Sequence, residues 1–294
     1  MIIVKLMGGL GNQMFQYATA RSVAHRLRTP LLLDTTAYND MPEVDTPRHY
    51  ELGDLRITGK IASTAELSRM LPADFRATLS FRIRRRLGLE KRLRALGEPH
   101  KDFSPFIFKA RKNTYLLGWW QNEKYFTDIQ DILRKEFQPK RVSAYGKKIL
   151  SQIEACDAIS IHVRRGDYVT NKYANKEHGL ASIDYYKRAV DYINSEVKKP
   201  RYFVFSDDMA WCKKNLKLGQ DFVFVDSHTP NTAHEGIYLM QYCKHNIIAN
   251  SSYSWWGAWL NNNPNKIVIA PKSWFQNQQT NQETGIVPND WKRL

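Results

Sequence analysis

The sequence predicts an α/β protein made of two halves, each a parallel sheet covered by helices, and three observations lead there. Short β-rich runs alternate with helical patterns along the chain. The runs are apolar throughout rather than alternating with polar residues, as strands buried on both faces are. At 294 residues the chain exceeds the roughly 100 to 200 of a single domain, so two domains with separate cores are expected. With 43% hydrophobic and 25% charged residues, the composition is that of a globular protein rather than a disordered one.

The elements follow in order. Residues 2–6 form a first strand, Gly8-Gly9-Leu10-Gly11 a turn, and the next stretch a helix in which Tyr17, Ala20, Ala24 and Leu27 recur at helical spacing. Residues 31–33, after Pro30, form a second strand ending at Asp34, which completes a βαβ unit. Residues 39–101 are polar, basic and weakly periodic, and helices can be placed there only loosely. A strand at 115–117 is closed by Gly118-Trp119-Trp120. A helical stretch over 128–137 ends at Gln138-Pro139, because the residue before a proline disfavours helix. That point divides an N-terminal domain, 1–138, from a C-terminal one, 139–294. In the second half, residues 158–163, 202–205, 222–225, 246–249 and 267–270 read as buried strands. Between them lie helical patterns, one carrying Tyr186, Val190, Ile193 and Val197 on a single stripe. Each half is therefore Rossmann-like, and ligands are expected beyond the carboxyl ends of the strands.

The net charge of +15 calls for an anionic partner, whether nucleic acid, a membrane surface or a phosphorylated ligand. Much of the excess lies in residues 76–101, which carry Arg82, Arg84, Arg85, Arg86, Lys91, Arg92 and Arg94. This run reads either as a solvated helix face or as a peripheral contact with anionic lipid on the inner face of the membrane. A nucleic-acid groove would interleave aromatic residues with the basic ones, and only Phe75 and Phe81 are near, so no nucleic-acid partner is expected. Residues 2–6 are too short for a signal peptide, and no apolar run approaches the roughly 18 residues of a membrane span. Cys156, Cys212 and Cys243 lack metal or redox spacing, which suggests a reducing, cytoplasmic setting.

Three motifs carry chemistry. In His162-Val163-Arg164-Arg165-Gly166-Asp167-Tyr168, His162 and Arg164 share one face of a strand end, about 7 Å apart. A guanidinium there can clamp two phosphate oxygens, and Asp167 can orient it or accept a proton; a structural Arg-Asp pair is the alternative. In Gly8-Gly9-Leu10-Gly11-Asn12-Gln13 a turn meets a helix N-terminus, which attracts anions. Met14 replaces the third glycine of a dinucleotide fingerprint, yet Asp34 stands where its acid would, so an NAD-type oxidoreductase remains a rival. Asn12 and Gln13 suit sugar hydroxyls or a diphosphate, though Asn12 is also a natural helix cap. The third motif joins Ser206-Asp207-Asp208 to Asn250-Ser251-Ser252-Tyr253-Ser254, whose serines can cradle a diphosphate. Adjacent aspartates on a strand point to opposite faces, so no metal site is assigned. Trp119-Trp120 and Trp255-Trp256 can stack on sugars, with burial expected for at least three of the four.

Together these stretches resemble the bacterial α-1,2-fucosyltransferases of glycosyltransferase family 11, nearly from end to end. The resemblance implies a GT-B-like fold, two Rossmann-like domains with parallel sheets facing a central cleft. It implies GDP-fucose held by the C-terminal domain and a β-galactoside acceptor, free or lipid-linked, held mainly by the N-terminal one. Inversion at the anomeric carbon and no metal or other cofactor are implied as well. Arg164 then matches the arginine at the β-phosphate and His162 its companion near the nucleotide. Arg165 and Asp167 stand beside them, and Asp207 ends the neighbouring strand. Glu235 matches an acid that holds guanine; Ser251, Ser252 and Tyr253 match the phosphate-binding turn. Asn12, with Gly9, Gly11 and Gln13, lies near fucose and acceptor. Some relatives place a glutamate soon after the arginine motif, where this chain has Lys172. Asp167, Glu177 and His178 are left as candidates for the catalytic base.

Overall fold

The computed structural model describes residues 1–39, 46–70, 95–98, 102–219, 221–226 and 233–294. The basic stretch from Arg82 to Arg94, read either as a solvated helix face or as a contact with anionic lipid, lies outside the described residues.

The first sheet comprises β1 (Ile2–Lys5), β2 (Leu31–Asp34), β3 (Lys60–Ile61), β4 (Ala95–Gly97) and β5 (Thr114–Leu117), in the order β3-β2-β1-β5-β4 with every pairing parallel. The second comprises β6 (Asp157–Val163), β7 (Pro200–Ser206), β8 (Phe222–Val225), β9 (His245–Ile247), β10 (Val268–Ala270) and β11 (Lys292–Arg293), in the order β11-β10-β9-β6-β7-β8, again all parallel. The first sheet lies wholly before Gln138 and the second wholly after it. Among the described residues the helices are α1 (Leu10–Arg26), α2 (Thr64–Met70), α3 (Gln130–Glu136), α4 (Ala144–Glu154), α5 (Gly166–Thr170), α6 (Lys172–His178), α7 (Ile183–Glu196), α8 (Met209–Asn215), α9 (Ala233–Tyr242), α10 (Ser252–Leu260) and α11 (Gln278–Glu283). None of them is long and apolar enough to cross a membrane.

Both sheets are doubly wound. Strand order reverses beside β1 in the first and between β6 and β9 in the second, and at such points the carboxyl ends of the strands open a crevice. Gly8-Gly9 follows β1, Arg164 follows β6 and Asn250-Ser251 follows β9, so part of each of the three motifs stands at a reversal.

Each half has an apolar cluster of its own, Ile3, Leu32, Ala62 and Tyr115 in the first and one around Ile159, Ile161 and Val190 in the second, but the largest cluster is shared between them. That cluster contains Val4, Phe15, Phe126 and Phe137 from the first half together with Ile237, Trp255, Trp256 and Trp291 from the second. The cause is α1, which is buried on nearly every side rather than along one stripe, because it is wedged between its own sheet and α10. The Phe15 ring lies 4.4 Å from that of Trp255 and 4.9 Å from that of Trp256. The Trp256 indole N–H donates to the carbonyl of Gly11 at 2.9 Å. Each such ring buries about 150 to 250 Å², on the order of 4 to 6 kcal/mol of gross stabilisation before chain entropy is counted. Polar side chains of α1 tie it to the 128–136 segment of its own half: Tyr17 donates to Glu136, and Ser22 to Asp128.

Candidate active site

Two connected chambers lie between the sheets. The first, of about 250 Å³, is lined by Gly9, Leu10, Gly11, Asn12, Arg48, Glu51, Arg164, Asp167, Tyr168, Ala174, His178, Ala233, Ser251, Ser252 and Tyr253. The second, of about 260 Å³, is lined by Asn12, Glu98, Trp119, Gln121, Tyr168, Glu177, His178, Asn250, Ser252, Trp274, Phe275 and Thr284. Asn12, Tyr168, His178 and Ser252 belong to both walls and form the passage between them. A more open hollow of about 680 Å³ beside Pro139 shares no residue with either.

Arg164 governs the first chamber. Leaving the end of β6, its guanidinium is held at both ends, Nη1 at 2.8 Å from Asp207 Oδ2 and Nη2 at 2.6 Å from Asp167 Oδ1. Burial works against its charge, but Asp207 and then Asp167 outweigh it and hold the pKa above the ordinary arginine value. Asp167 also accepts a bond from Arg48, so this carboxylate bridges a guanidinium from each half of the molecule. The Arg-Asp pairing of the motif and its place on a cavity wall thus occur together.

Several expected site residues face elsewhere, each for a visible reason. Arg165 turns to the other side of the strand end, where Nε meets Asp208 at 3.1 Å and the guanidinium lies 4.0 Å from the Trp211 ring. His162 is fully buried one layer behind the chamber, its ring 5.3 Å from that of Tyr253. Glu235 caps the start of α4, its carboxylate accepting the Ser143 amide at 2.6 Å and the Ser143 hydroxyl at 2.8 Å. Gln13 is buried and ties α1 to the preceding turn and to the 49–51 segment, donating to the carbonyls of Gly8 and His49 and accepting from the Glu51 amide. Asp207 sits behind Arg164 and also accepts the Arg165 amide at 2.8 Å. With Asp208 on Arg165, both aspartates hold arginines. Among the described residues no group of three or more His, Cys, Asp or Glu is arranged to hold a metal ion.

The glycine turn is also not a free anion seat. Gly8 adopts φ +72°, a conformation that favours glycine, and the first amide of α1, Leu10 N–H, already donates to the Glu51 carboxylate at 2.8 Å. Burial raises the pKa of that carboxyl. Gly11 serves close approach instead: a Cβ there would stand 2.5 Å from the Ser252 carbonyl carbon. Asp34 accepts the Tyr115 hydroxyl at 2.5 Å and the Thr36 amide at 2.9 Å, which places it inside the first half rather than on a ribose.

The second chamber has the character of a sugar site. Trp119 is 46% exposed, whereas Trp120, Trp255 and Trp256 are buried. With Trp274 and Phe275 it offers flat apolar faces to the C–H surface of a pyranose, beside amide and carboxyl groups for the hydroxyls. Asn12 accepts from the Gln121 amide at 2.8 Å. Glu98 accepts the amides of Trp119 and Trp120, and burial raises its pKa, which makes its carboxylate a better proton acceptor than an exposed one. The ring of His178 stacks on that of Tyr168 at 4.9 Å, and Asn250 holds α6 in place by donating to the His178 carbonyl. Arg48, Glu51, Glu98, Gln121, Trp274 and Phe275 were not singled out from the sequence. The first three fall in or beside the weakly periodic segment, where no motif marks them.

Two doubly wound parallel sheets joined by such a cleft are the architecture of GT-B glycosyltransferases, and this is the class to which the protein belongs. The profile of glycosyl transferase family 11 matches residues 1–294, and the chain is a member of that family. An alpha-1,2-colitosyltransferase of Escherichia coli is 34% identical over all of this chain and 98% of its own length. Galactoside alpha-(1,2)-fucosyltransferase 2 of Sus scrofa is 24% identical over 87% of this chain and 68% of its own length. Among solved structures, POFUT1 in its apo form superposes with a TM-score of 0.51 at 13% identity, over 92% of this chain and 97% of that one, which speaks for the fold alone.

Proposed function

We propose that the protein is an inverting, metal-independent α-1,2-fucosyltransferase that moves fucose from GDP-fucose to the 2-hydroxyl of a β-galactoside. The observation that carries this reading is the pairing of chambers: a buried, doubly oriented arginine at one end and an aromatic, carboxyl-bearing pocket at the other, joined at Asn12 and Ser252. The donor diphosphate lies against Arg164, Ser251 and Ser252, near the start of α10, where helix amides favour an anion. As the bond from C1 of fucose to the phosphate breaks, negative charge grows on the departing oxygen and Arg164 is already oriented to meet it. The acceptor approaches from the second chamber, opposite the leaving group, which gives inversion. Asp167 is engaged by two guanidiniums, and acceptance of the galactoside proton falls to Glu98, Glu177 or His178 on the second wall.

The relatives named for α-1,2 transfer of colitose, and for α-1,2 transfer of fucose to galactosides, support the linkage and bracket the donor. A GDP-linked sugar lacking the 3-hydroxyl, as colitose does, is the second reading, carried by the 34% identity. The purified chain should be incubated with GDP-fucose or GDP-colitose and simple β-galactosides, with and without EDTA, and the products analysed by mass spectrometry and NMR. Transfer of neither sugar would refute the proposal; loss of transfer in EDTA with recovery on adding Mn²⁺ would refute its metal-free part.

A further inference from the structure

The twin arginines after β6 suggest a clamp of two adjacent guanidiniums, yet Arg165 leaves the chamber to Asp208 and Trp211. What remains on that wall from the second half is one cation, Arg164, against two carboxylates, Asp167 and Asp207. A diphosphate entering a site with an excess of one negative charge would be repelled at close range. The other half brings Arg48 to this chamber together with Glu51, whose carboxyl is engaged by the Leu10 amide and has its pKa raised by burial. Arg48 lines the first chamber, its side chain is about a quarter exposed, and it reaches across the cleft to the Asp167 oxygen that Arg164 leaves open. The Arg48 guanidinium runs along the glycine turn, its Nη1 3.5 Å from where a Cβ on Gly9 would stand.

We propose that Arg48 is the second cation of the donor clamp, a diphosphate-binding residue supplied by the N-terminal half, with Asp167 as the positioning residue that holds Arg48 and Arg164 together. The proposal rests on the reading of the first chamber as a nucleotide-diphosphate site. Asp167 keeps two like-charged guanidiniums side by side, which they could not tolerate alone. Each fork then presents N–H donors to the diphosphate oxygens while Asp167, and for Arg164 also Asp207, keeps it in place. Donor binding then draws on a residue from each side of the cleft.

The test is calorimetric titration of guanosine, GMP and GDP into the wild type, R48Q and R48K, with melting curves for each. The expected result is a GDP affinity lowered about tenfold to a hundredfold in R48Q, a smaller loss for GMP and none for guanosine, as fits the removal of one charge-assisted contact to phosphate. R48K, which keeps the charge but not the fork, should regain part of the loss. A wild type that binds no GDP would overturn the donor reading itself. A wild type that binds GDP while R48Q binds it within about twofold would overturn the role of Arg48 alone. Equal losses for guanosine and GDP would mark Arg48 as structural and overturn the proposal as well. If R48Q shows no cooperative melt, R48K decides by the same comparison: a loss confined to the phosphate-bearing ligands supports the clamp, and an unchanged or uniform profile refutes it.

Discussion

Replacing Gly11 by alanine distinguishes a glycine that packs from one that binds phosphate. The added Cβ would lie 2.5 Å from the Ser252 carbonyl carbon and 2.6 Å from the Tyr253 amide nitrogen. Both are backbone atoms, so no rotamer change relieves the clash. Restoring ordinary contact requires α1 and α10 to separate by about 1 Å, a close-packed seam being intolerant of such a shift. Overpacking of this kind costs about 1 to 3 kcal/mol. Weakening the bond from the Trp256 indole to the Gly11 carbonyl adds about 1 kcal/mol, and the better helix propensity of alanine returns at most about 1 kcal/mol. The net is a destabilisation of about 1 to 3 kcal/mol, which in a chain of this size lowers Tm by roughly 2 to 10 °C. Differential scanning calorimetry measures it, and GDP titration on the folded variant provides the second reading. An unchanged or raised Tm would refute the reasoning. GDP affinity falling without any change in Tm would return Gly11 to the phosphate.

Arg164→Lys keeps the charge but cannot span Asp207 and Asp167; kcat should fall about a hundredfold to a thousandfold with a smaller effect on KM, and a variant within about fivefold of wild type would place the clamp elsewhere. Trp119→Ala should raise the acceptor KM about twofold to tenfold while leaving GDP affinity and Tm unchanged, because the ring is partly exposed on the second chamber; a change in GDP affinity instead would contradict the division of the cleft. Lys266, which donates to the carbonyls of Ala258 and Asn261 at the end of α10, has its pKa pushed down to about 8, chiefly by burial and next by Arg134. Between about pH 8 and the ordinary 10.5 the unfolded chain binds this proton and the folded one does not, so its contribution to stability rises with pH across that window, by at most about 3 kcal/mol. Urea melts should therefore show the wild type gaining on Lys266→Met from about pH 7 to about pH 10, and a constant difference would refute the linkage.

The inner strands were legible because burial on both faces leaves an unbroken apolar run. Residues 158–163 are β6 with one residue added at its start, and 222–225 are β8 as expected, although that strand stands at the sheet edge and is mostly half-buried. At 246–249 the strand His245–Ile247 begins one residue earlier and ends two earlier, although Ile248 still donates to the Ile269 carbonyl beyond it. The other three outer strands were not legible. Both residues of β3 are exposed, as are both of β11, and β4 is only half-buried. An edge strand has one neighbour and needs no apolar pattern, so nothing in residues 60–61 or 95–97 distinguishes them from loop. Helix α1 misled in the opposite way: its stripe of Tyr17, Ala20, Ala24 and Leu27 is present, but the packing that decides its role comes from α10, more than two hundred residues later.

The same contrast holds at the site. Polar residues at the ends of apolar runs announce that something is bound there, because nothing in a sheet requires them. They do not announce direction. Arg164 and Arg165 are neighbours at a strand end, and neighbours on extended chain point to opposite sides, so a single chamber can receive only one of them directly. The other is an anchor, fixed by Asp208 and Trp211 behind the wall. A second cation must then come from elsewhere in the chain, and the one proposed, Arg48, lies outside any strand, 119 positions before its partner Asp167 and across the cleft. That pairing leaves no periodic trace, and a segment as weakly patterned as the one around Arg48 is where such a residue goes unseen. Charge balance points to it instead: Asp167 and Asp207, both largely shielded from solvent, face the single cation Arg164, and a second cation offsets the remaining carboxylate.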